Sequence, residues 1–76
     1  MRARIVQVFA EVFQRSSDVF GEETSPATIG GWDSTRHVEL VVALEDRFGC
    51  MFEPEEVAEL VSLGKIEEIL KHHGSQ

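Results

Sequence analysis

Ser34 is the residue of this sequence best placed for chemistry. It follows Gly30-Gly31-Trp32-Asp33 and opens a stretch of helical periodicity. A serine hydroxyl is a weak nucleophile until a base takes its proton. The three histidines offer no such base: His37 projects onto the apolar stripe of the same helix, and His72-His73 belong to the C-terminal tail. A Ser-His-Asp hydrolase is therefore disfavoured. Two readings of the hydroxyl remain. Ser34 is itself the helix N-cap, or Asp33 is the cap and Ser34 sits at N1 with a free hydroxyl that another enzyme can modify. An anionic group attached there would face the unsatisfied N–H groups and the positive dipole end of the helix.

Metal chemistry finds little support. His37, Cys50, His72 and His73 lack any standard ligand spacing, and adjacent histidines on a helix point to different faces. Glu53, Glu55, Glu56 and Glu59 lack the EF-hand spacing and read as a solvated face. No metal site is expected. Cys50 is the single cysteine, which excludes an internal disulfide, suits a small apolar filler and suggests a reducing, cytoplasmic setting.

The chain has 76 residues and a net charge of −7. That length gives one small domain that buries only about 60% of its unfolded surface, so a deep enzyme pocket is not expected. Residues 33–60 carry 2 basic and 8 acidic groups, net −6, while residues 1–32 carry only −1. This acidity repels phosphate backbones and anionic lipid heads, which argues against nucleic acid and membranes and favours basic partners. No apolar run approaches the roughly 20 residues that span a bilayer.

The elements that must position Ser34 are helical. Ile5, Val8, Phe9 and Val12 predict an amphipathic helix over residues 2–16. Residues 17–33 read as a long loop, with Phe20 and Ile29 as anchors and Trp32 packed at its exit. Asp33-Ser34 opens a second helix to Phe48, closed by Gly49. Pro54 starts a short third helix to Leu60. Ser62 caps a fourth helix, with Val61 and Ile66 at the positions of a hydrophobic staple and Gly74 as its terminator. The expected fold is an all-α four-helix bundle with a long first loop and a short third helix.

On a helical wheel with Ser34 at 0°, Leu40, Leu44, His37, Phe48 and Val41 fall at about 240° to 340°, a core stripe. Glu45, Val38, Val42, Thr35, Asp46 and Glu39 fall at about 20° to 140°, and Arg36 and Arg47 at about 200° to 220°. The second face thus combines three carboxylates with two valines, and both arginines lie off it. Isolated surface valines need no explanation, but an apolar centre with an acidic rim also fits a docking surface for a basic partner.

The run Gly31-Trp32-Asp33-Ser34 followed by Thr35-Arg36-His37-Val38-Glu39-Leu40-Val41-Val42-Ala43-Leu44-Glu45-Asp46-Arg47-Phe48-Gly49 resembles the acyl carrier protein family. So does Phe52-Glu53-Pro54-Glu55-Glu56-Val57, and the similarity spans about residues 4–71. The family's attachment motif is Asp-Ser-Leu at the start of the second helix. The resemblance implies that Ser34, flanked by Asp33, carries a 4′-phosphopantetheine arm that a phosphopantetheinyl transferase takes from coenzyme A. An acyl group would ride on the arm as a thioester, and the protein itself would catalyse nothing. Acyl-loading, ketosynthase or acyltransferase-type enzymes of fatty-acid, polyketide or related biosynthesis would dock through basic patches on Thr35, Val38, Glu39, Val42, Glu45 and Asp46. A monomer is expected.

Four positions depart from the family pattern. Thr35 replaces the usual leucine. Arg36 and Arg47 stand where many relatives are acidic or neutral, and Trp32 is closer to stand-alone carriers of specialised pathways. Two other readings stay open. One is a peptidyl or aminoacyl carrier, to which Ile29-Gly30-Gly31 bears a faint likeness. The other is an acidic helical interaction module without a prosthetic group.

Overall fold

Helix α1 (Arg2–Phe13) opens the chain in a computed structural model that describes residues 2–73. It buries Ile5, Val8 and Phe9 of the expected stripe, while Val12 is half-buried and Phe13 beside it is buried instead. It stops three residues short of the expected end. Gln14 takes a left-handed φ of 55°, and the Arg15 N–H returns to the Ala10 carbonyl at 3.2 Å. This is a Schellman-type stop with glutamine in the position that glycine usually fills. The apolar pattern ends at Phe13, so no burial draws residues 14–16 into another turn. The side chain of Arg36 donates to the orphaned Val12 carbonyl at 3.3 Å.

The connection to α2 contains one 3₁₀ turn, Ser17–Val19, capped by Ser16. Its length is used. Phe20, Thr24, Ile29 and Trp32 are all buried. The carbonyls of Glu22 and Thr24 accept the N–H groups of Gly64 (3.0 Å) and Leu63 (2.9 Å), two orphan donors in the first turn of α4. Gly64 permits that approach, because a Cβ there would lie 2.7 Å from the Glu22 Cγ.

Helix α2 (Ser34–Phe48) buries Leu40, Val41 and Leu44 against α1 and ends at Gly49, whose φ of 66° forms the left-handed cap. Helix α3 (Pro54–Glu59) is short, with proline in its first turn. The Glu53 N–H donates to Glu56 Oε1 at 2.8 Å, and His73 approaches the same oxygen at 2.9 Å. The Glu53 N–H, and after it His73, hold the Glu56 carboxyl below its ordinary range. Helix α4 (Leu63–His72) starts at Ser62, which accepts the Lys65 N–H at 3.1 Å, and buries Leu63, Ile66, Ile69 and Leu70. Val61, expected to staple this cap with Ile66, is instead half exposed. Gly74, the expected terminator, lies outside the described residues. Among those residues no helix is long and apolar enough to cross a membrane.

The bundle closes around Phe9, which stacks on Phe13 at 5.7 Å between ring centroids and meets Phe20 and Trp32 at 5.5 and 5.6 Å. A phenylalanine buried this fully is worth about 3–5 kcal/mol over alanine. That is a large share of the 4–11 kcal/mol that roughly 0.05–0.15 kcal/mol per residue allows a domain of this size.

Arg2 Nε donates to Glu67 Oε1 at 2.9 Å, joining the start of α1 to α4. That hydrogen bond holds the Glu67 carboxyl below its ordinary value of 4.5. A depressed carboxyl stabilises the fold above its unfolded-state pKa and loses that contribution as the pH falls through the folded value. Glu67→Gln should therefore be less stable than wild type at neutral pH. The gap should close as urea denaturation is repeated below about pH 4.5, where the contribution titrates away. A gap that stays constant to pH 2 would remove the Arg2 pairing as its cause.

Candidate functional site

Asp33, not Ser34, caps α2. Its backbone is extended (φ −109°, ψ −171°), its Oδ1 accepts the Arg36 N–H at 2.9 Å, and its carbonyl accepts the His37 N–H at 2.8 Å. Ser34 is thereby placed at N1. It is exposed, and its hydroxyl has no hydrogen-bond partner among the described residues. The reading of Ser34 as merely a cap is excluded by this geometry. The loop delivers α2 to this point through Trp32, buried edge-on against Phe9 and Phe13, and through Arg15, whose side chain donates to the Gly30 carbonyl at 3.1 Å.

Beside Ser34 lies an open groove of about 530 Å³ lined by Pro26, Trp32, Asp33, Ser34, His37, Val38, Leu60 and Val61. Its walls come from the loop, the first turns of α2 and the link between α3 and α4. His37 does not serve as a base for Ser34. Its Nδ1 accepts the Trp32 indole N–H at 3.0 Å, and its Nε2 lies 3.0 Å from the Val57 carbonyl oxygen. Both ring nitrogens are engaged away from the hydroxyl. The site therefore offers an accessible nucleophile with no activating partner, which suits a residue modified by another enzyme's chemistry.

The outer face of α2 carries the predicted residues. Thr35, Val38, Glu39, Val42 and Asp46 are all exposed, with Val38 at 62% and Val42 at 59%. Glu45 differs: it is half-buried, and its Oε2 accepts the Phe52 N–H at 2.9 Å, which ties the α2–α3 link to the helix. Arg47 turns away to Glu11 on α1 at 2.7 Å. Arg36 does not stay off the acidic face as the wheel implies. Its guanidinium reaches Glu39 at 2.9 Å, because residues three apart are neighbours on a helix surface. Glu39 is thus partly neutralised, while no ion pair engages Asp46 among the described residues.

Sequence reasoning missed Met51, 78% exposed on the α2–α3 link, and Val61 and Leu60 on the groove. Met51 is legible only as an apolar residue outside any periodic stripe, while the pattern assigns Val61 to the staple and Leu60 to the end of the third helix rather than to a groove. Cys50, read as a small filler, packs partly buried against the core.

The sequence model of the family described as "Phosphopantetheine attachment site" matches residues 3–70 of this chain. No curated protein matches it.

The cap assignment has a direct consequence for stability. Asp33→Ala should cost about 1 kcal/mol, and Asp33→Asn much less, because asparagine also caps well. A loss of that size lowers the melting temperature by about 4–8 °C in a domain this small. Ser34→Ala should stay within about 0.5 kcal/mol of wild type, since no bond is lost. Thermal melts of the three variants check this. A larger loss in Ser34→Ala than in Asp33→Ala would move the cap to Ser34.

Proposed function

This chain belongs to the phosphopantetheine attachment family, and we propose that it is an acyl carrier protein whose 4′-phosphopantetheine is attached through the Ser34 hydroxyl. Members of the family are carriers for this prosthetic group, which supplies a terminal thiol that holds cargo as a thioester. The observation that carries the attachment point is the placement of Ser34 at N1, exposed and unbonded, with Asp33 in the cap. The residues suit the group. The Ser34 oxygen is reachable, and the Asp33 caps leave the N–H groups of Ser34 and Thr35 without helical partners beside it. Those donors and the helix dipole favour a phosphate ester at this oxygen. Ser34 would take the arm from coenzyme A on a phosphopantetheinyl transferase, which supplies the base that this chain lacks.

An acyl rather than a peptidyl or aminoacyl cargo is favoured by spacing. Trp32 and Asp33 separate Gly30-Gly31 from Ser34, where peptidyl carriers usually have one residue. Residues 1–76 act as one carrier domain, monomeric and at work in a reducing, cytoplasmic compartment, consistent with a single cysteine and strong acidity. Partner enzymes of fatty-acid, polyketide or related specialised biosynthesis dock on α2. Val38 and Val42 supply contact area, Thr35 borders Ser34, and Glu39, Asp46 and the outer edge of Glu45 steer basic patches.

Incubation with a phosphopantetheinyl transferase and coenzyme A should add one phosphopantetheine by intact mass, and Ser34→Ala should abolish it. An unmodified wild-type chain, or modification that survives in Ser34→Ala, overturns the proposal. For docking, Asp46→Lys should slow association with the transferase about tenfold or more at low salt, in the range over which electrostatic steering acts. Glu39→Lys should act less strongly, because Arg36 already offsets that charge. Stopped-flow association at two ionic strengths measures both, and equal rates for wild type and Asp46→Lys at low salt would remove the acidic face from docking.

A further inference from the structure

His37 bridges two elements that nothing in the carrier chemistry requires it to join. Trp32 presents an indole N–H, which donates and cannot accept, to Nδ1 at 3.0 Å. Val57 presents a carbonyl oxygen, which accepts and cannot donate, to Nε2 at 3.0 Å. Only one form of imidazole satisfies both neighbours: the neutral ring with its hydrogen on Nε2 and a bare Nδ1. The two rings also stack, with planes 21° apart. The loop exit, α2 and α3 are thus pinned through one side chain of defined tautomer.

Protonation of His37 places a hydrogen on Nδ1 that points at the indole N–H. Two donors then face each other at 3.0 Å, and the ring must turn or withdraw. Either movement also releases the Val57 carbonyl, because the two nitrogens sit on opposite sides of one rigid ring. Six residues of α3 are too few to hold a helix alone. Apart from Val57 and Leu60, which pack against the core, its other side-chain hydrogen bond to a neighbouring element runs to the end of α4, where Glu56 meets His73 at 2.9 Å, and that pair gains charge when His73 is protonated. The two histidines that hold α3 therefore respond to acid in opposite directions. Other ionisable groups on the adjoining elements are committed or exposed. Asp33 is the α2 cap, Arg36 is paired with Glu39, Glu56 is bound by Glu53 and His73, and Glu55 and Glu59 face solvent.

We infer that His37, in its neutral Nε2–H form, is the positioning residue that holds α3 and the Leu60-Val61 wall of the groove against the Trp32 platform, and that its protonation releases them. This goes beyond the attachment reading and does not rest on it, since the unmodified chain contains the whole arrangement.

The test uses the full, unmodified chain and ¹H–¹⁵N NMR between about pH 8 and about pH 5, the range in which histidine charges. At the upper end the His37 ring nitrogens should show a protonated Nε2 and a bare Nδ1. As His37 charges, the Trp32 indole signal should move upfield with loss of its hydrogen bond. The amides of Val57 to Val61 should shift with the same midpoint, while those of α1 stay in place. Glutamine offers both an acceptor and a donor without charging, so His37→Gln should hold the indole and groove signals constant with pH. His73→Gln should leave the indole midpoint where it is. An Nδ1–H tautomer at the upper pH, an indole signal indifferent to His37 charging, or an indole transition that persists in His37→Gln or vanishes in His73→Gln would each overturn the inference. If His37→Gln does not fold, the wild-type tautomer and the shared midpoint still decide it.

Discussion

Trp32 is packed edge-on against both Phe9 and Phe13, and this contact anchors the end of the loop on the core. The next residue is the cap of α2, so the site of Ser34 is fixed by an aromatic contact two residues away. Aromatic pairs prefer such tilted arrangements and add about 0.5–1.5 kcal/mol beyond their buried area. That preference orients the ring as well as anchoring it. The indole N–H is consequently aimed at His37, and the tie from α2 to α3 follows from the same ring. Core packing, helix start and groove wall share one side chain.

The charges sort into two populations around this frame. Glu67, Glu11, Glu39, Glu56 and Glu68 pair with Arg2, Arg47, Arg36, His73 and Lys65, and most of these contacts join different elements. Glu45 spends one oxygen on the Phe52 N–H. What is left on the outer face of α2 is centred on Asp46, with Val38 and Val42 beside it. The acidity concentrated in residues 33–60 is thus partly structural glue, and the portion available to a partner is smaller than the net charge of that segment. Exposed pairs contribute little each, so this division matters more for recognition than for stability.

The sequence made much of this legible, and the misses have common causes. The start and end of α2 were readable because Asp33 and Gly49 are residues whose side chains, or lack of one, create the cap. The end of α1 was not, because Gln14 adopts a conformation that its identity does not announce. The loop announced its anchors Phe20, Ile29 and Trp32 but not its contacts to α4, since these are made by the backbone carbonyls of Glu22 and Thr24, which no residue type encodes. The wheel gave His37 its angle but not its partners, and it gave Arg36 an angle that a long side chain does not respect. Ser34 itself was visible, while the choice between cap and free hydroxyl needed the Asp33 bond.

The carbonyl contacts from Glu22 and Thr24 to the first turn of α4 bear on how such a protein can be recombined. They join segments some forty residues apart through main-chain atoms, and Gly64 leaves no room for a bulkier approach. A chimaera that takes its α1 and loop from one parent and α2 to α4 from another must preserve the backbone path at 22–24 and a glycine at 64 together. The natural crossover unit in this chain is accordingly not the helix but the loop with the helix start that it completes.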